Sequence, residues 1–300
     1  MKKSHTLTKK KQVNAGMFRQ LLNYLLYSSV FISVCAFSLT IETYLLAELP
    51  VSLPMAVFVF LATLFTYNLS SIQRVLLHRN AEPERNQQQD SWWHRHRVGM
   101  AIVGTGSLGM ATIVYFYFGL RLNFWFLLHL AIISIGYTIP IVYRRKDAKP
   151  LRRVPLLKVF LIAYVWAVVT GLFPLIDAGI FVLEPQALQL FLRRFLFILA
   201  LALLFDIRDY TYDRQTNTLT VPGLIGVNYT KLLSVVLLLV YALIVVQSES
   251  GGTMLALLVS ALIAGLVVLF SSEFRPRVYF LLLADGAMLL HAVLVFLASS

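Results

Sequence analysis

A chain of 300 residues that is 59% hydrophobic and only 13% charged, with a mean hydropathy of +0.76, excludes an ordinary water-soluble domain. Soluble domains carry about a quarter charged residues. The net charge of +12 and pI near 9.9 call for no nucleic-acid partner, because topology and anionic lipid headgroups account for such an excess in a membrane chain.

Stretches of about 18 or more apolar residues are membrane-span candidates. Nine occur in chain order, at roughly 21–48, 51–76, 98–119, 121–142, 156–178, 187–210, 229–247, 252–272 and 277–297. The first is long enough to need tilt or an extramembrane turn. Short segments of period-2 alternation, the mark of a membrane barrel, are absent. The expected fold is all-α, a polytopic bundle of nine transmembrane helices (residues 21–300) behind a basic N-terminal arm (residues 1–20). The arm's basic run leads into a full-length span, not a short cleavable signal core. Cys35 stands alone inside a span, so neither a disulfide framework nor a thiolate metal site is expected.

The basic residues fix an orientation. The arm holds six Lys/Arg, the 2–3 connection five, the 4–5 connection seven, the 6–7 connection three and the 8–9 connection two, together 23 of 26. These connections alternate along the chain and share one side. The other side has short links such as AELP and QSESGG, with acids and almost no bases. The positive-inside rule makes the basic side cytoplasmic. The expectation is a multi-pass protein of the cell's inner (plasma) membrane, N-terminus in and C-terminus out.

The sixth span ends in DIRDYTYDRQ. Asp206, Asp209 and Asp213 stand at i, i+3 and i+7 and share a helix face. They sit at the helix C-terminus, where the macrodipole disfavours carboxylates. A bound cation would reverse that penalty, and Asp oxygens suit Mg²⁺, which completes its shell with water and phosphate. The alternative is a solvated loop neutralised by Arg208 and Arg214. A polar, turn-rich stretch follows before the next apolar helix.

D-I-R-D-x-x-x-D followed by T-x-P-x-x-x-G resembles the second aspartate motif of the UbiA superfamily of intramembrane prenyltransferases. The matching residues are Asp206, Ile207, Arg208, Asp209, Asp213, Thr220, Pro222 and Gly226. The 4–5 connection is similar to the same family's, with Tyr137, Pro140, Arg144, Arg145, Arg153, Pro155, Lys158 and Trp166 in the pattern Y-x-x-P, bases, R-x-P-x-x-K, then Trp. The family's first motif, N-D-x-x-D-x-x-x-D at the end of span 2, has its counterpart in TYNLSSIQRVL. Asn68 is kept there, but Leu69, Ser70, Ser71, Ile72 and Leu76 supply no carboxylate.

The resemblance implies nine helices around a central cavity that opens near the cytoplasmic face. It implies an isoprenyl group passed from an allylic diphosphate to an aromatic or other lipophilic acceptor. Metal and basic groups would stabilise the leaving diphosphate, and aromatic rings the allylic cation. Mg²⁺ would be held by Asp206, Asp209 and Asp213, with one ion in place of two given the missing first motif. Asn68, Tyr137, Arg144, Arg145, Arg153 and Lys158 would meet the substrate. A second reading is a degenerate, non-catalytic member that binds an isoprenoid or quinone lipid or a protein partner. A transporter would show broken helices at the midplane and two related halves, and the sequence shows neither.

Other polar residues in spans have expectations of their own. Asp285 lies deep enough in span 9 to face a cavity or a partner, since a carboxylate at a helix centre costs about 2.5–3.5 kcal/mol on insertion scales. Arg193 and Arg194 break the charge rule and are expected to snorkel or to pair with Glu184, Asp177 or Glu42. His94 and His96 read as an interfacial anchor beside Trp92 and Trp93. His129 and His291 read as hydrogen-bonded packing residues.

Overall fold

The computed structural model describes residues 28–76, 87–138, 140–144, 147–150, 156–216 and 218–299. The basic arm lies outside them. The helices are α1 (Val30–Leu46), α2 (Leu53–Leu76), α3 (Gln87–Tyr117), α4 (Phe124–Thr138), α5 (Leu157–Asp177), α6 (Pro185–Gln215), the short α7 (Val221–Ile225), α8 (Val227–Ser248), α9 (Gly251–Leu269) and α10 (residues 277–299). Among the described residues, α2, α3, α5, α8, α9 and α10 contain segments long and apolar enough to cross a bilayer, while α1 and α4 are shorter apolar helices. The sixth expected span falls within α6, whose 31 residues carry Arg193 and Arg194 as well as the aspartates. The molecule is a multi-pass, helical membrane bundle.

Its helices are apolar outward and mixed inward. On α8, Leu232, Val236, Leu239, Leu243 and Val246 form an exposed stripe, with the 3–4 residue spacing of one helix face. The opposite face buries Thr230, Ser234, Leu238, Tyr241 and Val245. In water such a stripe would be an aggregation hazard. In lipid it is the solvated face, and the inward side is free to use hydroxyls and small residues for close packing. α2 and α3 show that closeness: a β-carbon at Gly104 of α3 would stand 2.8 Å from Cβ of Asn68.

Sequence-adjacent helices pack together (α1 on α2, α2 on α3, α5 on α6, α8 on α9, α9 on α10), and α6 also packs on α8. α10 then packs against α1, so the first and last described helices meet. Two helices contain a π-helical turn, Val168–Leu172 in α5 and Phe280–Ala284 in α10. Such turns insert an extra residue per turn and re-aim the side chains that follow.

One element departs from the all-α expectation. Pro140–Arg144 and Asp147–Pro150 pair as an antiparallel hairpin, with an irregular register between Pro140 and Val142. Pro140 cannot continue α4, and the β-branched and aromatic run Ile141–Val142–Tyr143 suits a strand. The basic pattern of this connection drew attention to its charge and hid its strand propensity.

Candidate functional site

The site is built on the last turns of α6. Pro185 opens this helix after an extended Glu184, and Thr216 ends it. All three aspartates are therefore helical. Asp206 and Asp213 are buried and Asp209 is partly so, its side chain 22% exposed. The aspartates of this segment thus turn into the protein.

What meets them is the start of α5. Leu156 takes a left-handed conformation and its N–H donates to Leu219 O at 3.3 Å, joining the α5 entry to the loop beyond α6. Lys158 follows in the first turn of α5. Its Nζ donates to Asp206 Oδ1 at 2.9 Å and lies 3.7 Å from Asp209 Oδ2. Arg208 grips Asp209 with a two-pronged guanidinium, Nε to Oδ1 and Nη2 to Oδ2, both at 2.8 Å. The guanidinium also lies 5.1 Å over the Phe205 ring. A cation at a helix N-terminus and anions at a helix C-terminus are each misplaced for the macrodipole. Brought together, Lys158 of α5 and the aspartates of α6 cancel both misfits.

That arrangement bears on the metal. One turn of helix rises about 5.4 Å, so Asp206 and Asp213 start about 10.5 Å apart along the axis, while Mg²⁺ takes its ligands at about 2.1 Å. Among the described residues no three His, Cys, Asp or Glu side chains are grouped to hold a metal ion. With Asp206 on Lys158 and Asp209 on Arg208, this donor set does not fit a single ion shared by the triad. The Asp213 backbone carbonyl instead anchors the next loop, accepting from Thr218 N at 2.8 Å.

The other expected site residues divide. Tyr137 is half-buried near the end of α4. Arg144 is in the first strand, with only its backbone described, and Arg145 and Arg153 lie outside the described residues. Asn68 is fully buried at the α2–α3 contact, its Nδ2 donating to Leu64 O at 2.9 Å. The hydroxyl of the neighbouring Tyr67 accepts from Trp166 Nε1 of α5 at 3.3 Å. The sequence offers Asp285 as a residue facing a cavity or a partner, Trp166 as part of a pattern and Arg208 as a neutraliser, and gives no sign of Tyr67 beyond its place beside Asn68.

A second polar cluster lies near the opposite end of α6. Arg194 pairs with Glu42 of α1 at 3.2 Å, and His291 Nδ1 of α10 lies 2.9 Å from the same carboxylate oxygen. His291 Nε2 meets Tyr241 OH of α8 at 2.9 Å. Arg193 pairs with Glu249 and donates to Ser248 Oγ at 3.2 Å. Of the partners expected for the two arginines, Glu42 is found. Glu249 was not among them. His129 packs between Phe126 and Tyr164, and the side chain of His94 lies outside the described residues.

No protein-family model matches the chain, and no curated protein matches it. Among solved structures, the apo structure of a UbiA homolog from Aeropyrum pernix K1 superposes with a TM-score of 0.60 over 92% of this chain and 98% of that one, at 16% identity. The chain has the UbiA fold. Within this UbiA-type bundle, the two stretches that carry the sequence resemblance meet in space, through Lys158–Asp206 and Leu156–Leu219.

Proposed function

We infer that the chain is a membrane prenyltransferase of the UbiA type, moving an isoprenyl group from an allylic diphosphate to a lipophilic acceptor. The observation that carries this reading is the Lys158–Asp206–Asp209–Arg208 constellation, formed by two distant stretches at one end of a UbiA-type fold. Lys158 is a point charge and Arg208 a planar fork, and both suit phosphate oxygens. A diphosphate entering here competes with Asp206 and Asp209 for these cations, which then face the bond that breaks. The isoprenyl tail runs among the apolar helices, and Tyr67, Trp166 and Phe205 present ring faces to positive charge on the allylic carbon.

The reading extends to topology. Nine membrane segments, with the basic connections on the cytoplasmic face of the inner membrane, follow from the distribution of 23 of 26 bases. Cysteines placed singly in the 4–5 and 7–8 connections, labelled from outside in intact cells, test it: labelling of the former would reverse the orientation.

A second reading is supported by α2. Leu69, Ser70, Ser71, Ile72 and Gln73 give that helix no carboxylate, and both remaining pairs are internally neutralised. Such a site binds an isoprenoid lipid without transferring it. Purified protein incubated with geranyl, farnesyl and geranylgeranyl diphosphates, with Mg²⁺ and with EDTA, separates the two. Diphosphate release supports transfer, saturable binding without release supports the second reading, and neither result would overturn both.

A further inference from the structure

A cavity of about 490 Å³ opens between α4 and the α5–α6 link, at the end of the bundle opposite Lys158. Asp177, the last residue of α5, stands about 28 Å along that helix from Lys158. That is close to the roughly 30 Å of a hydrocarbon core, so the cavity lies at the other membrane interface. Asn123, Trp125, Phe126 and His129 form one wall, and Ile180 and Phe181 the other.

Both walls are fixed in place. Asn123 Oδ1 accepts from Trp125 N at 2.9 Å, which sets the entry of α4. α5 ends in a Schellman turn, with Gly179 at φ 87° and Ile180 N donating to Leu175 O at 2.9 Å. Beyond that turn, Phe181 N donates to Glu184 Oε1 at 3.2 Å. Arg121 N donates to Asp177 Oδ1 at 2.9 Å and ties the two walls together across 56 positions. A preformed, mainly apolar hollow with a few polar groups is the kind that takes a ligand.

The chemistry of this hollow is layered. Arg121, Asp177 and Glu184 bring one cation and two carboxylates to its rim. Arg121 and Glu184 are exposed, and among the described residues neither has an ion-pair partner. Trp125 and Phe181 line the cavity with rings that are 73% and 63% exposed. His129 stands one helical turn further in, about 6 Å deeper, stacked on Phe126 with ring centroids 6.1 Å apart. Its ring nitrogens have no hydrogen-bond partner among the described residues. From His129 a file of partly buried rings continues on α5 and α6, with centroid steps of 5.8 Å to Tyr164, 6.3 Å to Phe191 and 6.1 Å to Phe195. Opposite charges, then aromatic rings, then an imidazole, then an apolar file follow the order of groups in a zwitterionic phospholipid.

We propose that this cavity binds one amine-bearing phospholipid. The lipid ammonium sits against Trp125 and Phe181, close to Glu184 and Asp177. The phosphate accepts from Arg121 and the Asn123 amide, and His129 donates to an ester carbonyl. One acyl chain follows the Tyr164–Phe191–Phe195 file. The lipid joins α4 to α5 where the protein alone leaves a gap, and the site does not rest on the prenyl-transfer reading.

The test uses the delipidated full chain in detergent, titrated with dioleoyl-phosphatidylethanolamine or dioleoyl-phosphatidylglycerol and read by native mass spectrometry. One equivalent of the ethanolamine lipid should bind about tenfold more tightly than further copies, and than the glycerol lipid. Asp177→Asn/Glu184→Gln keeps a carbonyl oxygen for the Arg121 and Phe181 N–H groups and removes only charge. Its lipid-free Tm should match wild type while the preference falls to about twofold or less. If the double variant melts early, Glu184→Gln alone carries the same test. Trp125→Ala should weaken the ethanolamine lipid about fivefold, the worth of one cation–π contact, and Trp125→Tyr should recover part of the loss. Leu239→Ala, on the lipid-facing stripe of α8, should change nothing. Equal affinity for the two lipids, no tight first equivalent, or a preference that survives the charge-removing variants overturns the proposal. So does displacement of the first equivalent by equimolar glycerophosphoethanolamine or inorganic phosphate, which would mark a site for a free anion and not for a lipid.

Discussion

Helix α6 carries two charge clusters of opposite sign, Arg193 and Arg194 in its first half and Asp206 and Asp209 in its second. Arg194 and Asp206 lie about 18 Å apart along the axis. Both clusters are compensated by other helices, yet they differ in closure. Around Arg194 the side chains of Glu42, Arg194 and His291 are 0–4% exposed. Around Asp209 the side chains of Lys158, Arg208 and Asp209 are 21–22% exposed. A closed cluster exchanges its partners for nothing and serves to hold α1, α6, α8 and α10 in register. An open one can trade an internal partner for a ligand. Charge inside a membrane protein is thus not one signal but two, and accessibility tells them apart.

The largest effect should come from breaking the closed cluster. Glu42→Ala strands Arg194 beside His291, and removing one partner of a buried pair costs about 3–5 kcal/mol. Thermal unfolding of the detergent-solubilised protein should show it as a large fall in Tm, and the double variant Glu42→Leu/Arg194→Leu should recover much of the loss. A small shift in Glu42→Ala would show that the cluster is wetter than its burial indicates.

At the open cluster the sensitivity should move from stability to binding. Lys158→Met leaves the buried Asp206 without its nearest counter-charge and should cost about 1–3 kcal/mol of stability, less than Glu42→Ala, and weaken geranylgeranyl diphosphate about tenfold or more. To separate the lost cation from a stranded Asp206, Lys158→Met/Asp206→Asn should fold as well as wild type and bind as poorly as Lys158→Met. Titration calorimetry beside a melting curve reads both quantities.

Part of this contrast is legible in the sequence, and the limits are instructive. The positions of the apolar segments and the aspartate face follow from local periodicity, which a sequence displays directly. The answer to why carboxylates end α6 was not local. Lys158 lies 48 residues away, and only the approach of two helix ends makes it the counter-charge. Arg193 shows the same limit, because Glu249 is 56 residues off in a link read only for topology. Asn68 and Tyr67 illustrate the limit again: a helix turns 100° between neighbours, so Asn68 is buried against Gly104 of α3 while the Tyr67 hydroxyl meets Trp166 of α5.

A milder probe of the closed cluster is Tyr241→Phe, which removes one hydroxyl from His291. The expected loss is about 1 kcal/mol, with diphosphate binding unchanged. Changed binding would mean that the two clusters communicate along α6. The smallest effect is that of salt. Raising ionic strength to about 1 M shortens the Debye length to about 3 Å, which should weaken diphosphate binding at the open end while leaving the Tm contribution of the Glu42 cluster in place.

The meeting of α1 with α10 also governs how the protein is made. Glu42 enters the bilayer with the first of the described helices, whereas His291 belongs to the last, and the contact of Cys35 with Asp285 joins residues 250 positions apart. During synthesis the chain emerges N-terminus first, so Glu42 waits in lipid for Arg194, and the pair waits again for Tyr241 and His291. Each delay leaves a charged group in hydrocarbon with an incomplete shell. Nascent chains halted before α10 should therefore be held by insertion factors or degraded, and release should coincide with arrival of the helix that carries His291.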